Sequence, residues 1–301
     1  MTIAISVVIP AHNPRVDYLV AALGALKAQT LALNRWELVI IDNASSPPLA
    51  GRIDIDWHPL ARIVTEAKLG LTHARLQGLE QSVGSIVVFV DDDNVLAPDY
   101  LSTVLTIADL HPFIGVWGGV IAPRFEDPAL APPKSASALL TLRSAAHDSW
   151  SNDPNHHAST PWGAGLCLRR SVSARYRDEL SSDARRQALD VQGNRLLYGG
   201  DTDMAFTACR MGMGKGVFPA LKVEHLIPAA RCSLDYLCRV AAGRGYSEVL
   251  HTLILTGAIP ETPTVGTRIR RIYTMLRASA FDRRLMHAHD EGRRQATKDL
   301  L

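Results

Sequence analysis

Four short runs of β-branched and aliphatic residues, at 3–9, 37–41, 61–65 and 85–90, constrain this chain more than any other feature. Runs of that length and composition read as strands, the first two of them buried. Residues 16–29 carry Ala and Leu at helical spacing, and residues 72–81 read as a second helix. Strands alternating with helices specify an α/β fold with a mainly parallel sheet flanked by helices. Such sheets bind ligands beyond the carboxyl ends of their strands, so the polar residues after each run matter most. They are Pro10, Ala11, His12 and Asn13 after the first, Asp42, Asn43, Ala44 and Ser45 after the second, and Asp91, Asp92, Asp93 and Asn94 after the fourth. Three polar clusters converging on one sheet edge make a site, and packing alone gives no reason for all three.

The remainder is less regular. Residues 124–161, rich in Pro, Ala, Ser and Asn, read as a long, partly helical excursion. Residues 163–168 return as a small-residue strand, 181–192 as a polar loop or surface helix, 201–211 as a helix, and 216–223 as a strand leading to His225. From residue 234 onward the pattern is helical and increasingly rich in arginine. A net charge of only +2, from 32 Lys and Arg against 30 Asp and Glu, argues against a bulk electrostatic grip on nucleic acid. The total hides an uneven spread: residues 1–231 sum to −2 and residues 232–301 to +4. Cys167, Cys209, Cys232 and Cys238 form no CxxC pair and no zinc spacing, and read as reduced thiols of a cytoplasmic protein. The amino-terminal residues lack a basic stretch before the first strand, so no signal peptide is expected. No apolar run approaches the roughly 20 residues that span a bilayer.

The sharpest chemical signal is the apolar strand that ends in three aspartates, FVDDDN at 89–94. Asp-x-Asp presents two carboxylates on one side of a turn, hard oxygen ligands that suit Mg²⁺ or Mn²⁺ beside phosphate oxygens. The bland reading is an acidic surface turn or a helix cap. Three adjacent like charges repel one another, and a bound cation relieves that repulsion. A second acidic pair, Asp201 and Asp203, follows Gly199 and Gly200 at the start of a helix, where the dipole and free N–H groups favour a carboxylate. Beside a bound substrate Asp201 would serve as a general base; otherwise it is a helix-terminal cap. His225, in KVEHLIPAAR, is either a structural imidazole or the residue that completes a metal shell begun by Asp93.

Taken in order, these segments resemble the family 2 glycosyltransferases, which have the GT-A fold, and the resemblance runs from Val7 to about Arg231. VVIPAHNP resembles the family's opening strand and nucleotide-contacting turn, which puts Pro10, Ala11 and Asn13 at the nucleotide. ELVIIDNAS resembles the second strand, whose aspartate, here Asp42, contacts the base. GLTHARLQGL resembles the G-x-x-x-A-R segment and places Arg75 near the nucleotide. FVDDDN resembles the DxD motif, with Asp91 and Asp92 toward the nucleotide and Asp93 toward the metal. GGDTDMAFTACRMG resembles the G-E-D-x-[DE]-L-x-x-R motif, with Asp201 as base and Gly200 and Asp203 beside the acceptor. Three positions depart: Gly200 stands where the motif usually has Glu, Lys68 where Asn is usual, and Asn43 where a second Asp is common.

The resemblance implies transfer of a sugar from a nucleoside diphosphate donor to an acceptor hydroxyl, with inversion at the anomeric carbon. Asp42 at the base points to a UDP-sugar, and the expected setting is polysaccharide or glycoconjugate biosynthesis. A divalent ion, Mn²⁺ or Mg²⁺, on Asp93 and His225 would stabilise the leaving diphosphate, while Asp201 takes the acceptor proton from the opposite face. Trp162 and Gly163 fall on the acceptor side, where the indole stacks on a ring or is simply buried. Arg231 meets a phosphate or an ordinary salt-bridge partner, and the 124–161 excursion shapes an acceptor groove. The expected partners are a nucleotide-sugar donor and a saccharide or lipid-linked acceptor, with no nucleic acid. The expected organisation is a nucleotide-sugar-binding half over 1–118, an acceptor-binding and catalytic half over 119–231, and a helical extension over 232–301. The alternative is a non-catalytic sugar-nucleotide-binding scaffold that kept the fold. In the extension, Arg268, Arg270, Arg271, Arg277, Arg283 and Arg284 interleave with Ile269, Ile272, Tyr273, Leu276 and Phe281. That mixture reads as a solvated helix packed on the body, or as a surface that meets anionic lipid and holds a cytoplasmic protein on the inner face of a membrane.

Overall fold

The runs at 3–9, 37–41 and 85–90 become buried strands, whereas the run at 61–65 forms an edge strand that stays partly exposed. The computed structural model describes residues 3–187, 189–190, 196–260 and 264–301. Its first half comprises β1 (Ile5–Ala11), α1 (Val16–Lys27), β2 (Trp36–Asn43), β3 (Ala61–Glu66), α2 (Leu71–Gln81), β4 (Ile86–Phe89), β5 (Asn94–Leu96), α3 (Tyr100–Leu110) and β6 (Ile114–Phe125). The second half comprises β7 (Ser149–Ser151), β8 (Cys167–Arg169), α4 (Arg170–Ser181), α5 (Ala184–Gln187), α6 (Gly200–Arg210), β9 (Gly214–Ile227), α7 (Leu234–Thr256), α8 (Val265–Arg277) and α9 (Ala280–Leu300).

Strand order in the single sheet is β3-β2-β1-β4-β8-β6-β9-β5, with β7 also paired to β9. β3, β2, β1 and β4 run parallel, and every residue of β1 and β2 is buried. Alternate residues serve opposite faces: Leu38 and Ile40 pack with Leu19, Leu23 and Leu26 of α1, while Val39 and Ile41 pack with Leu79 of α2 and Met204 of α6. Helices on both faces explain why these strands are apolar throughout rather than alternating. The register sets Pro10 beside Ile41 and Ala11 beside Asp42, so the β1 and β2 turns emerge together at one edge.

The mainly parallel sheet is present, with one departure from the expected strands. Residues 163–168 are mostly a turn, and only Cys167–Arg169 pair, antiparallel to both β4 and β6. Gly165, at φ +73°, makes that turn possible, because a side chain there would be strained and would meet the Tyr100 hydroxyl. The expected excursion is a chain of short 3₁₀ turns, at Pro128–Leu130, Lys134–Leu140 and His157–Ser159, together with β7. Of the polar stretch 181–192, residues 184–187 are helical, and residues 188 and 191–192 lie outside the described residues.

The extension is helical as expected. Ser233, Thr264 and Ser279 cap α7, α8 and α9 by accepting from Tyr236, Thr267 and Asp282 N–H. α7 and α9 touch backbone to backbone: a Cβ at Gly292 would lie 1.8 Å from the Ala242 carbonyl oxygen. No described helix is long and apolar enough to cross a membrane.

Candidate active site

A cavity of about 570 Å³ opens at the sheet edge where the β1, β2 and β4 strands end. Pro10, Ala11 and His12 line it after β1, Asn43 closes β2, and Asp91, Asp92 and Asp93 follow β4. The remaining wall comes from Gly70 and Ala74, from Leu139, Leu140 and Thr141, from Ala164 and Tyr198, and from His225, Arg231 and Tyr236. Asn43 organises one rim, since its amide donates to the Glu66 and Lys68 carbonyls and its oxygen accepts from Gly70 N–H. At this position Asn supplies donors that an aspartate could not.

The acidic turn is held in a strong field. Burial pushes the Asp91 carboxyl above its ordinary value, with the Asp93 charge adding to it against the pull of Arg75. Burial, then the charges of Asp93 and Asp91, push Asp92 up to about 8. Burial also works to raise Asp93, but the bonds and charges of His225 and Arg231 outweigh it and hold that carboxyl low. Arg231 Nη1 donates to Asp93 Oδ2 at 2.8 Å, and His225 Nε2 lies 3.3 Å from the same oxygen.

This geometry fits a divalent cation. The Leu140 carbonyl, 3.0 Å from His225 Nδ1, can only accept, so the ring proton sits on Nδ1. In neutral His225 the Nε2 lone pair then faces a carboxylate oxygen, and Arg231 Nη1, 3.4 Å from Nε2 and 2.8 Å from that oxygen, supplies positive charge to both. Burial opposes a second proton on the ring, but Asp93 outweighs it and raises the His225 pKa. A carboxylate oxygen and an imidazole nitrogen set side by side also suit Mn²⁺ or Mg²⁺ that carries phosphate oxygens. No group of three or more His, Cys, Asp or Glu side chains is placed to hold a metal among the described residues.

Behind the cavity lies a buried charge cluster. Arg75 is buried and donates to Asp190 Oδ2 at 3.0 Å. Burial works against the Arg75 charge, but Asp190, then Asp91 and Asp201, outweigh it. One guanidinium is therefore within electrostatic reach of both acidic motifs. Asp190 also accepts from Gly200 N–H at 3.1 Å and from Thr72 Oγ1 at 3.3 Å. A Cβ at Gly200 would lie 2.2 Å from Asp190 Oδ2. The departure at residue 200 thus has a physical counterpart: Asp190 puts its carboxylate where a residue-200 side chain would start.

Asp201 opens α6. Its Oδ2 accepts from Gly163 N–H at 2.9 Å and its Oδ1 from Thr202 N–H at 2.7 Å. Together the two bonds fix the direction of the carboxylate. Trp162, half-buried, carries a guanidinium against its ring from Arg143, at 5.1 Å, and another from Arg244, at 5.8 Å. Burial works against the charge of each arginine, and Asp201 supports it.

The predicted residues divide accordingly. Pro10, Ala11, Asp91, Asp92, Asp93, His225 and Arg231 line the cavity. Arg75, Trp162, Gly163, Gly200 and Asp201 form the adjoining cluster, next to Ala164 and Tyr198 of the cavity wall. Three residues are placed otherwise. Asp42 is buried off the cavity lining, and its oxygens accept from Ser45 and Leu49 N–H, so it braces the loop after β2. Asn13, at φ +46°, accepts from Ser46 N–H and ties the β1 turn to that same loop. Asp203 is turned away from the cleft and sealed against Arg186 at 2.8 Å, because residues 201 and 203 stand on different sides of a helix. Sequence reasoning missed Asp190, Arg143, Arg244 and Tyr198. Only Asp190 had a signal, the glycine at residue 200 where an acidic residue is usual.

Arg186 joins Asp203 to Glu179, which also accepts from Arg175 and Arg210. Burial raises the Glu179 carboxyl, but the arginines, Arg186 foremost, outweigh it and bring it from 4.5 to about 2. A depressed folded-state pKa stabilises above the ordinary value, and the contribution fades as pH falls from 4.5 toward 2. Glu179→Gln should therefore lower stability at pH 7 by on the order of 2–3 kcal/mol. In urea melts the gap from wild type should shrink between pH 5 and pH 2.5; a constant gap contradicts the assignment.

Residues 6–173 match the family model described as Glycosyl transferase family 2. A Haloferax volcanii protein named glycosyltransferase AglE is 29% identical over 92 residues, which cover 30% of each chain. The Sinorhizobium fredii protein y4gI is 34% identical over 112 residues, 36% of this chain and 12% of its own. The matched regions thus span less than a third of those relatives' lengths. Among solved structures, the mannosyltransferase PcManGT from Pyrobaculum calidifontis, in complex with GDP-Man and Mn²⁺, superposes with a TM-score of 0.57 at 20% identity, over 97% of this chain and 74% of that one. S. aureus TarS 1–349 gives 0.53 at 13% identity, over 95% and 79%. The fold is shared with these GT-A proteins.

Proposed function

This chain belongs to glycosyltransferase family 2, and from that premise we propose that it moves a sugar from a nucleoside diphosphate donor to an acceptor hydroxyl in one inverting displacement. The observation that carries this is the pairing of Asp93, His225 and Arg231 on one cavity wall, with Asp201 beyond the same buried Arg75. The first group suits a diphosphate and the second an acceptor proton. Asp93 and His225 would hold a divalent ion, which when bound stabilises the charge that develops on the leaving diphosphate. Arg231 would donate to a phosphate oxygen.

Asp201 would accept the proton of the attacking hydroxyl, its second oxygen remaining on Gly163 N–H to fix its direction. One base and one displacement give inversion at the anomeric carbon. Trp162, with Arg143 and Arg244 against its ring, offers a flat, positively framed face on the acceptor side. The uridine form of the donor follows from the family resemblance. A saccharide or lipid-linked acceptor suits a polysaccharide or glycoconjugate pathway. The division into donor half, acceptor half and helical extension is part of the same reading.

Incubating the protein with UDP- and GDP-sugars, a saccharide acceptor mixture and Mn²⁺, and measuring nucleoside diphosphate released, tests this reading. Release is expected to fall at least tenfold after chelation and to return with Mn²⁺. An undiminished rate in metal-free protein removes the metal role from Asp93 and His225. No release with any donor, alongside binding of one of them, would favour the non-catalytic scaffold.

A further inference from the structure

We propose that α8 is a membrane-docking helix, whose apolar stripe enters the headgroup region of a bilayer that carries anionic lipid. Ile269, Ile272, Tyr273 and Leu276 are 62%, 58%, 58% and 75% exposed. Their spacing of three, four and seven residues puts them on one face of the helix. Four large apolar side chains left in water on one stripe need a cover.

The stripe points away from the body. Arg271 holds the other side of α8 to α9, donating to both Asp290 oxygens and to the Met286 carbonyl, and Met275 is half-buried. Rotating α8 to bury the stripe would break these bonds.

Charge selects the occupant. The sequence of α8, VGTRIRRIYTMLR, has four arginines and no acidic residue. Arg270 has no acidic partner among the described residues, and Arg277 lies over the Tyr273 ring, which places a cation at the rim of the stripe. Apolar residues bordered by arginine and tyrosine match a lipid interface, where the stripe sinks roughly 5–10 Å and the cations meet lipid phosphates. A second copy fits worse, because it would bring an equally basic helix against this one. Nucleic acid leaves the stripe uncovered. The helix lies on the membrane rather than across it, since 13 residues span about 20 Å of the roughly 30 Å hydrocarbon core.

Co-sedimentation of the full chain with vesicles tests the proposal without reading sugar transfer, so its failure leaves the catalytic reading untouched. Vesicles of phosphatidylcholine with 30 mol% phosphatidylglycerol, as chosen probe, are expected to bind the protein at least tenfold better than phosphatidylcholine alone. Binding should weaken on raising NaCl well above 0.1 M. The pair Ile269→Asp with Leu276→Asp should lose at least tenfold in binding, and Arg270→Glu should lose severalfold, with thermal melts unchanged because these side chains are exposed. Equal binding of the two vesicle types overturns the proposal, as does full binding by the Ile269/Leu276 variant. Light scattering that shows a wild-type dimer, dissociated by that variant, with no vesicle binding, assigns the stripe to a second copy and overturns it as well.

Discussion

Asp201→Asn should lower sugar transfer by on the order of 10²–10⁴-fold while donor binding and the melting temperature stay near wild type. The amide keeps an oxygen for Gly163 N–H and loses the capacity to take a proton. Asp201 is half-buried in the first turn of α6 and an amide fills the same space, so the substitution leaves no cavity. The cations it supports have other anchors: Arg75 donates to Asp190, Arg143 to the Thr160 and Ala158 carbonyls and Arg244 to the Ala138 carbonyl. The loss should therefore appear in kcat, measured at saturating donor. Wild-type kcat in the Asn variant would take the base role from Asp201; a parallel loss of donor binding would make it a positioning group instead.

The second large effect concerns Gly200. Gly200→Glu should destabilise the protein by about 3–5 kcal/mol, because the new Cβ collides with Asp190 and separates it from buried Arg75. Combining Gly200→Glu with Asp190→Gly should recover much of that loss, since the added carboxylate can pair with Arg75 in the space Asp190 leaves. Asp190→Gly alone should be about as damaging as Gly200→Glu alone, because each leaves Arg75 without its partner. Urea unfolding of the four proteins closes a double-mutant cycle. Strong non-additivity in the stabilising direction is expected. Simple additivity would mean that the two residues do not share one place.

Much of this was legible in the sequence, and the reason is local. β1, β2 and β4 are short apolar runs that need no long-range information to be read as strands, and the polar residues after them fall at one edge by the geometry of parallel sheets. Reading by motif and strand end singles out Asp93 and His225, which the fold sets on one cavity wall with Arg231. What the sequence leaves unread is tertiary. Asp42 and Asn13 have the right place in the chain, but the loop after β2 offers backbone N–H groups that claim both side chains. Asp190 and Arg75 are separated by 115 residues, and no periodicity joins them. Arg143 and Arg244 reach Trp162 only because α7 packs back beside the 3₁₀ turns at Lys134–Leu140. Gly163 read as strand because small apolar residues surround it, whereas its N–H is needed by Asp201.

The central claim is that the cavity at the β1, β2 and β4 edge holds a nucleoside diphosphate through the Asp93, His225 and Arg231 wall. Thermal-shift titration with UDP and GDP, each with Mn²⁺, measures it without knowledge of the acceptor. A ligand at a hundredfold its Kd adds about 2.7 kcal/mol of apparent stability. The account predicts a metal-dependent rise in Tm for wild type with at least one of the two nucleotides, and none for Asp93→Ala. No rise with either nucleotide, or an equal rise in Asp93→Ala, would contradict it.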